Sequence, residues 1–273
     1  MCYTIDGEVL IKYTTGAIFS NKDFRDYEAI CTTAVEFPNE FELKLVRVKN
    51  QGIIGSCVAH AISEVIECFN SVQLNDSTEM STGYIYGNRK TSSYKGGGMV
   101  TRDALKAAKL YGDVPKESFP YNIEVPKAIE EYNKVSDDLY EVGYPYRISS
   151  YFKLTTVSAI KQALMNNGPV IMAMEWFNDM QVKNGILTTN KKQPNGGHCM
   201  VIYGWNEKGW KVQNSWGRLW GDDGCCIIPY EMPIREFWAV ADDIIQDMQI
   251  KKPFSSTFGK ILAKILNWFV NLF

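Results

Sequence analysis

The chain has 273 residues, 45% hydrophobic and 22% charged, the balance of a soluble globular protein with room for one large domain or two lobes sharing an interface. Its 29 Lys and Arg against 31 Asp and Glu leave a net charge of −2, without the concentrated basic surface that phosphate binding needs, so nucleic acid is not an expected partner. Met1 to Glu8 lack the basic start and apolar core of a signal peptide, and the seven cysteines are an odd, irregularly spaced set that includes adjacent Cys225 and Cys226; a disulfide framework is not expected, and a cytoplasmic, reducing compartment is.

Residues 1–36 form a leading arm of short alternating runs, such as Val9-Leu10-Ile11-Lys12-Tyr13, with no role that their pattern assigns. Pro38 makes Phe37 to Phe41 extended, and Leu45 to Val48 lead into a glycine-punctuated turn, Gln51-Gly52-Ile53-Ile54-Gly55-Ser56-Cys57. Behind Ser56, a suitable N-cap, Val58, Ala61, Ile62, Val65, Ile66 and Phe69 recur at three- and four-residue intervals. Cys57 therefore falls on the first turn of a helix, where unpaired N–H groups and the dipole favour a thiolate. A glycine run, Gly96-Gly97-Gly98, precedes a second helix that Thr101 caps, with Ala104, Leu105, Ala108 and Tyr111 on its apolar face and Gly112 at its end. Tyr132 to Ser150 reads as a crossover. Thr155 or Thr156 starts a third helix, with Val157, Ile160 and Leu164 inward, that stops at Asn167-Gly168-Pro169. Beyond it, Val170 to Met174, Gly185 to Leu187, Cys199 to Tyr203, Gly209 to Val212 and Cys225 to Ile228 are strand candidates between glycine turns, so a helical first half gives way to a β second half.

A cysteine nucleophile needs a base, a group to orient the base and donors for the developing oxyanion. Only two histidines are available. His198 follows Gly196-Gly197 and leads an apolar strand, and Asn214 can accept a bond from its ring N–H under the cover of Trp216. His60 shares a helix face with Cys57 but has no glycine turn or orienting amide, and reads as a packed, hydrogen-bonded histidine. Cys199 either lines the cleft or packs in the core. His198, Cys199, Cys225 and Cys226 offer a zinc alternative, but there is no separated Cys-x-x-Cys pair, so neither metal nor cofactor is expected.

Gln-Gly-x-x-Gly-Ser-Cys at 51–57, Gly-His and an apolar strand at 197–204, and Asn-Ser-Trp-Gly-x-x-Trp-Gly at 214–221 together resemble the papain-like cysteine peptidases, over about residues 37 to 235. The resemblance implies an α+β, two-lobed fold, with a helical lobe over about 50–130, a β lobe over about 140–240 and an active-site cleft between them. It implies Cys57 as nucleophile, His198 as base and later acid, Asn214 as orienter and Gln51 as oxyanion donor, with Gly97, Gly98, Gly197 and Trp216 lining a cleft for an extended peptide. The expected activity is endopeptidase hydrolysis through an acyl-enzyme; the alternatives are a silent peptide-binding module, or a transpeptidase in which an amine resolves the same intermediate. Arg102-Asp103 echoes bacterial relatives. Ile54 stands where the family often has a cysteine, and Val58 where it often has an aromatic. With only residues 1–36 ahead of the similarity, the family's long inhibitory propeptide is not expected, which leaves activity unrestrained or restrained from elsewhere.

The 241–273 tail carries a separate signal. Phe258, Ile261, Leu262, Ile265, Phe269, Leu272 and Phe273 form one helical stripe opposite Lys260, Lys264, Asn267 and Asn271. Residues 254–273 are too short and too polar on one side to span a bilayer comfortably. They suit an anionic membrane surface, a partner subunit or the chain's own domain, including its cleft.

Overall fold

The computed structural model describes residues 2–5, 8–11, 13–30, 35–73, 75–91, 97–120, 135–191, 193–242 and 249–251. Its helices are α1 (Cys57–Gln73), α2 (Thr82–Gly87), α3 (Thr101–Tyr111), α4 (Leu139–Gly143) and α5 (Val157–Asn166). The strands are β1 (Cys2–Ile5), β2 (Glu8–Ile11), β3 (Ala17–Ile18), β4 (Glu28–Ile30), β5 (Phe41–Glu42), β6 (Met99–Val100), β7 (Ser150–Leu154) and β8 (Val170–Phe177). They continue with β9 (Gln181–Lys183), β10 (Ile186–Thr188), β11 (Pro194–Asn206), β12 (Gly209–Gln213), β13 (Cys225–Ile228), β14 (Ile234–Ala241) and β15 (Gln249–Lys251).

Helix α1 is the axis of the helical lobe. Its apolar positions Val58, Ala61, Ile62 and Val65 are buried, but so are His60, Ser63, Glu64 and Glu67, because the helix is enclosed on every side. Enclosure forces the polar side chains to find partners. Lys49 meets Glu67 at 2.6 Å, and the Ser63 hydroxyl donates to Asp113 at 2.5 Å. In α3 the cap position belongs to Val100, which makes no side-chain cap bond, and Thr101 is the first helical residue, so the helix starts one residue earlier than the sequence suggests. Thr156 caps α5 by accepting the Ala159 N–H at 3.1 Å, as expected. Val157 nevertheless points outward at 51% exposure, and Ala159, Ile160, Ala163 and Leu164 make the buried face. The stretch read as a crossover holds the short α4 and a 3-10 turn at Tyr144–Tyr146.

The main sheet runs β15-β4-β7-β14-β8-β11-β12-β13-β10-β9, with antiparallel pairing through its β7-β14-β8-β11-β12-β13 centre. One face of it packs on α1, where Ala173 and Cys199 share a core cluster with Cys57, Val58 and Ile62. The other face carries Met172, Met200, Trp205 and Trp210 in a second cluster with Ile160 and Leu164 of α5. The fold is thus the α+β, two-lobed one, with α1 and β11 meeting at the cleft. The arm reaches into this plan: β3 pairs antiparallel with β11 through Ala17 and Gly197, and parallel with β6 through Ala17 with Met99 and Ile18 with Val100. Among the described residues no helix is long and apolar enough to cross a membrane. The amphipathic stretch 254–273 and Gly96 lie outside the described residues.

Candidate active site

Cys57 opens α1, is fully buried, and packs with Cys199, the residue after His198 on β11. The His198 Nε2 lies 2.7 Å from Asn214 Oδ1. That same oxygen accepts the Ser215 N–H at 2.7 Å, which fixes the Asn214 amide with its oxygen toward the ring and makes Nε2 the protonated nitrogen. Nδ1 is then an acceptor, buried and without a hydrogen-bond partner among the described residues. Trp216 stacks on the imidazole at 4.3 Å between ring centroids, and Trp176 meets it edge-on at 5.2 Å, so the His198–Asn214 bond is roofed and walled. His60 is held elsewhere, with Nδ1 3.0 Å from the Ser56 carbonyl, a packed helix histidine that burial pushes down to about 3.

Gln51 is tied to the same motif. Its N–H donates to the Ser215 carbonyl at 2.8 Å and its Oε1 accepts the Ser215 hydroxyl at 2.6 Å. That leaves the side-chain Nε2 to donate to the carbonyls of Ile54 at 2.8 Å and Thr14 at 2.9 Å.

Thr14 belongs to the arm, and the arm fills the cleft. Tyr13 stacks on Trp216 at 4.6 Å, and the Trp216 indole N–H also donates to the Thr14 carbonyl, at 3.2 Å. Gly16 donates to the Gly197 carbonyl at 3.0 Å, and its own carbonyl accepts the Met99 N–H at 2.9 Å. The fit is close enough that a Cβ on Gly16 would stand 2.0 Å from the Gly55 carbonyl oxygen, and one on Gly98, at φ +93°, 2.3 Å from the Gly16 oxygen. Gly98, Gly197 and Trp216 all touch the arm, while Gly97 sits at the exposed rim with nothing within 4 Å of an added Cβ. Beyond the cleft the arm is fastened again: Arg102 meets Asp26 at 2.5 Å, and Ser20 is held by Glu236 and the Arg102 N–H.

The comparisons with known proteins follow this geometry. The family model described as papain family cysteine protease matches residues 37–233. The chain belongs to the papain family. It is 28% identical over 218 residues to a cysteine protease of Blomia tropicalis, an alignment covering 72% of this chain and 62% of that protein. To an uncharacterized peptidase C1-like protein of Acanthamoeba polyphaga mimivirus it is 29% identical, over 71% of this chain and 69% of the relative. Among solved structures, xylellain, a cysteine protease from Xylella fastidiosa, superimposes with a TM-score of 0.74 at 25% identity, covering 84% of this chain and 96% of that one. The chain spans less than two thirds of the length of the Blomia tropicalis protease.

Within this papain-family frame the covered cleft changes the electrostatics. Burial pushes the Cys57 thiol up to about 11, against the smaller opposing pull of the backbone N–H groups of Cys199 and Gly16, and pushes His198 down to about 4. Burial thus works against the helix-end thiolate expected from sequence and favours the neutral thiol and imidazole. Among the described residues no three His, Cys, Asp or Glu side chains converge to hold a metal, and Cys57, Cys68, Cys199, Cys225 and Cys226 are free. Ser215 and Trp176 were not singled out from the sequence. Ser215 lay in view inside the Asn-Ser-Trp motif; Trp176 sits at the end of an apolar strand and carries no signal of its own.

Proposed function

We propose that the protein is a cysteine endopeptidase with a Cys57-His198-Asn214 triad, held latent by residues 13–19 of its own arm. The observation that supports it most is the buried His198 Nδ1, unpartnered among the described residues, on a ring whose other nitrogen is fixed by Asn214, while the next residue, Cys199, packs with Cys57 at the N-terminus of α1. An orphan acceptor in so dry a place fits a base awaiting a proton. With the arm displaced, His198 Nδ1 takes the Cys57 proton and the sulfur attacks the peptide carbonyl, whose oxygen gains the negative charge. Gln51 Nε2, now bonded to the Thr14 carbonyl, donates to that oxyanion together with the Cys57 N–H. The C–N bond breaks as His198 returns its proton to the leaving amine, giving a thioester. Water, losing a proton to His198, then releases the carboxylic acid and regenerates the thiol.

The test uses the full chain and a Gly16→Val variant, whose side chain has no room against Gly55. Labelling of Cys57 by a peptidyl epoxide or vinyl sulfone is expected to be slow in the parent, fast in Gly16→Val and absent in Cys57→Ala. No labelling of any form removes the enzyme reading in favour of a silent peptide-binding module. Mass spectrometry of products with and without an added amine separates hydrolysis from transpeptidation.

The free thiols on the described residues suit a reducing, cytoplasmic setting. Peripheral membrane contact through residues 254–273 is part of the same reading, on sequence alone. Equal sedimentation with anionic vesicles of the full chain and a chain ending at Pro253 would remove it.

A further inference from the structure

We propose that Cys57 and Cys199 are a redox pair: once the arm is out of the cleft, a hydroperoxide oxidises Cys57 and Cys199 closes it into a disulfide, which switches the enzyme off reversibly. The inference rests on the peptidase reading above, since it concerns the same nucleophile.

Cys57 opens α1 and Cys199 lies on β11, yet both belong to the core cluster of Val58, Ile62 and Ala173, at 0% and 1% exposure. Side chains alternate along a strand, so Cys199 turns to the α1 face while its neighbour His198 turns to Trp176 and Trp216. The Cys199 backbone N–H hydrogen-bonds the Cys57 sulfur, which therefore lies against the residue that carries the second thiol. A contact of that kind keeps the two Cα atoms close to the roughly 7 Å that a disulfide can span. After burial itself, Cys57 is the largest influence pushing the Cys199 thiol up.

The other thiols with described side chains are placed elsewhere. Cys68 is about three turns further along α1, roughly 16 Å by the helix rise, beside the Val46 backbone. Cys225 accepts the Tyr203 hydroxyl, and Cys226 packs in the cluster on the far face of the sheet. Among the described residues Cys199 is the thiol within reach of Cys57, and both are free. In the closed form the arm shields them, since Ala17 packs in their cluster and the Gly16 N–H also bonds the Cys57 sulfur.

With the arm out, the Cys57 proton passes to His198 and the sulfur attacks one oxygen of the hydroperoxide. The S–O bond forms, the O–O bond breaks, and the departing oxygen leaves with that proton as water or an alcohol, so Cys57 becomes a sulfenic acid. The Cys199 sulfur then attacks the Cys57 sulfur: the S–S bond forms, the S–O bond breaks, and the oxygen leaves as water with the Cys199 proton. The pair of thiols is oxidised and the peroxide reduced. Exchange with a cellular thiol such as glutathione returns both cysteines. Without a second thiol, the sulfenic acid goes on to sulfinic acid, from which simple thiols do not recover it. Cys199 thus makes a brake of what would otherwise be damage.

The experiment treats the full-length parent, Gly16→Val, and Gly16→Val carrying Cys199→Ala with hydrogen peroxide and then dithiothreitol, each read against its own untreated activity. Mass spectrometry after alkylation of free thiols follows Cys57. Gly16→Val is expected to lose activity, to yield a peptide in which Cys57 is linked to Cys199, and to regain most of its activity on reduction. The Cys199→Ala form should instead gain oxygen on Cys57 and, after excess peroxide, recover roughly fivefold less. The parent should form the linked peptide more slowly. No linked peptide in Gly16→Val, or equal recovery with and without Cys199, overturns the proposal, and a parent that forms the link as fast as Gly16→Val overturns the arm's part in it. If Cys199→Ala does not fold, Cys199→Ser decides on the same readouts. Gly16→Val that cleaves nothing and takes up no Cys57 probe overturns instead the peptidase reading beneath it, and the linked peptide, read by mass alone, still decides the pair.

Discussion

Ser215 grips Gln51 at both ends, its carbonyl accepting the Gln51 N–H at 2.8 Å and its hydroxyl donating to Gln51 Oε1 at 2.6 Å. Since the Ser215 N–H also donates to Asn214 Oδ1, one serine fixes both the Asn214 amide that meets His198 and the Gln51 amide, the two that the proposed mechanism uses. Its removal should cost rate more than affinity. In the Gly16→Val background, Ser215→Ala is expected to lower kcat roughly 10- to 100-fold with KM little changed, and Gln51→Ala by roughly 100-fold. Combined, they should cost little more than Gln51→Ala alone, as steady-state kinetics on one peptide amide will show.

The thiol should report whether the cleft is covered. With burial holding Cys57 at about 11, iodoacetamide should modify the parent slowly at neutral pH and faster as pH climbs toward that value. Ionising either Cys57 or His198 is disfavoured by burial, against a smaller pull from Gly16 on Cys57; if the arm supplies much of that burial, then by linkage its departure and ionisation favour each other. Gly16→Val should therefore shift the alkylation profile to lower pH. An unchanged profile counts against the arm as the cause.

Of the arm's ion pairs among the described residues, Arg102–Asp26 is the more enclosed, with side chains 16% and 8% exposed, whereas Arg25 in the Asp23 pair is 77% exposed. A cation in the first turn of α3 opposes the helix dipole, so its position is explained by what it binds. Asp26→Asn or Arg102→Ala should raise basal probe labelling of Cys57 on the order of tenfold. Arg25→Ala should leave it unchanged, because exposed pairs contribute little.

Asp113 supplies a pH dependence of stability. Burial raises its carboxyl to about 7, with the Ser63 hydroxyl, Lys49 and the Val114 N–H pulling it down and Glu67 adding to the rise. Its folded pKa is above the unfolded one, so its contribution is full below about pH 4 and is lost as pH rises through about 7. His198, depressed to about 4, acts in the opposite sense, its contribution fading as the solution is acidified below the ordinary histidine range. The difference between parent and Asp113→Asn isolates the first effect: thermal melts should show the parent losing on the order of a few kcal/mol across the window relative to the variant.

Cys57, His198 and Asn214 stood out as candidates because each sits in a local pattern: a tight turn before Cys57, glycines before His198, tryptophans after Asn214. Helix α5 was legible through Thr156 and its apolar period, and the strands β8, β11, β12 and β13 through their β-branched and aromatic runs. The arm was not. Strands β3 and β6 are two residues each, too short for any period-2 signal, and their partners lie far along the chain. Ser20 and Glu236 are 216 residues apart, and neither residue type suggests the other. The burial of Glu64 and Glu67 was equally hidden, since a helix enclosed all round keeps polar residues that a surface helix would turn to water.

The two-residue strand β3 joins β11 on one side and β6 on the other, and so acts as a splint across the groove between the lobes. Under the proposed latency, pulling it out to admit a peptide would also sever the backbone ties it makes to both walls, so the open form would be the looser of the two until a peptide lay in the vacated track and tied the same walls together.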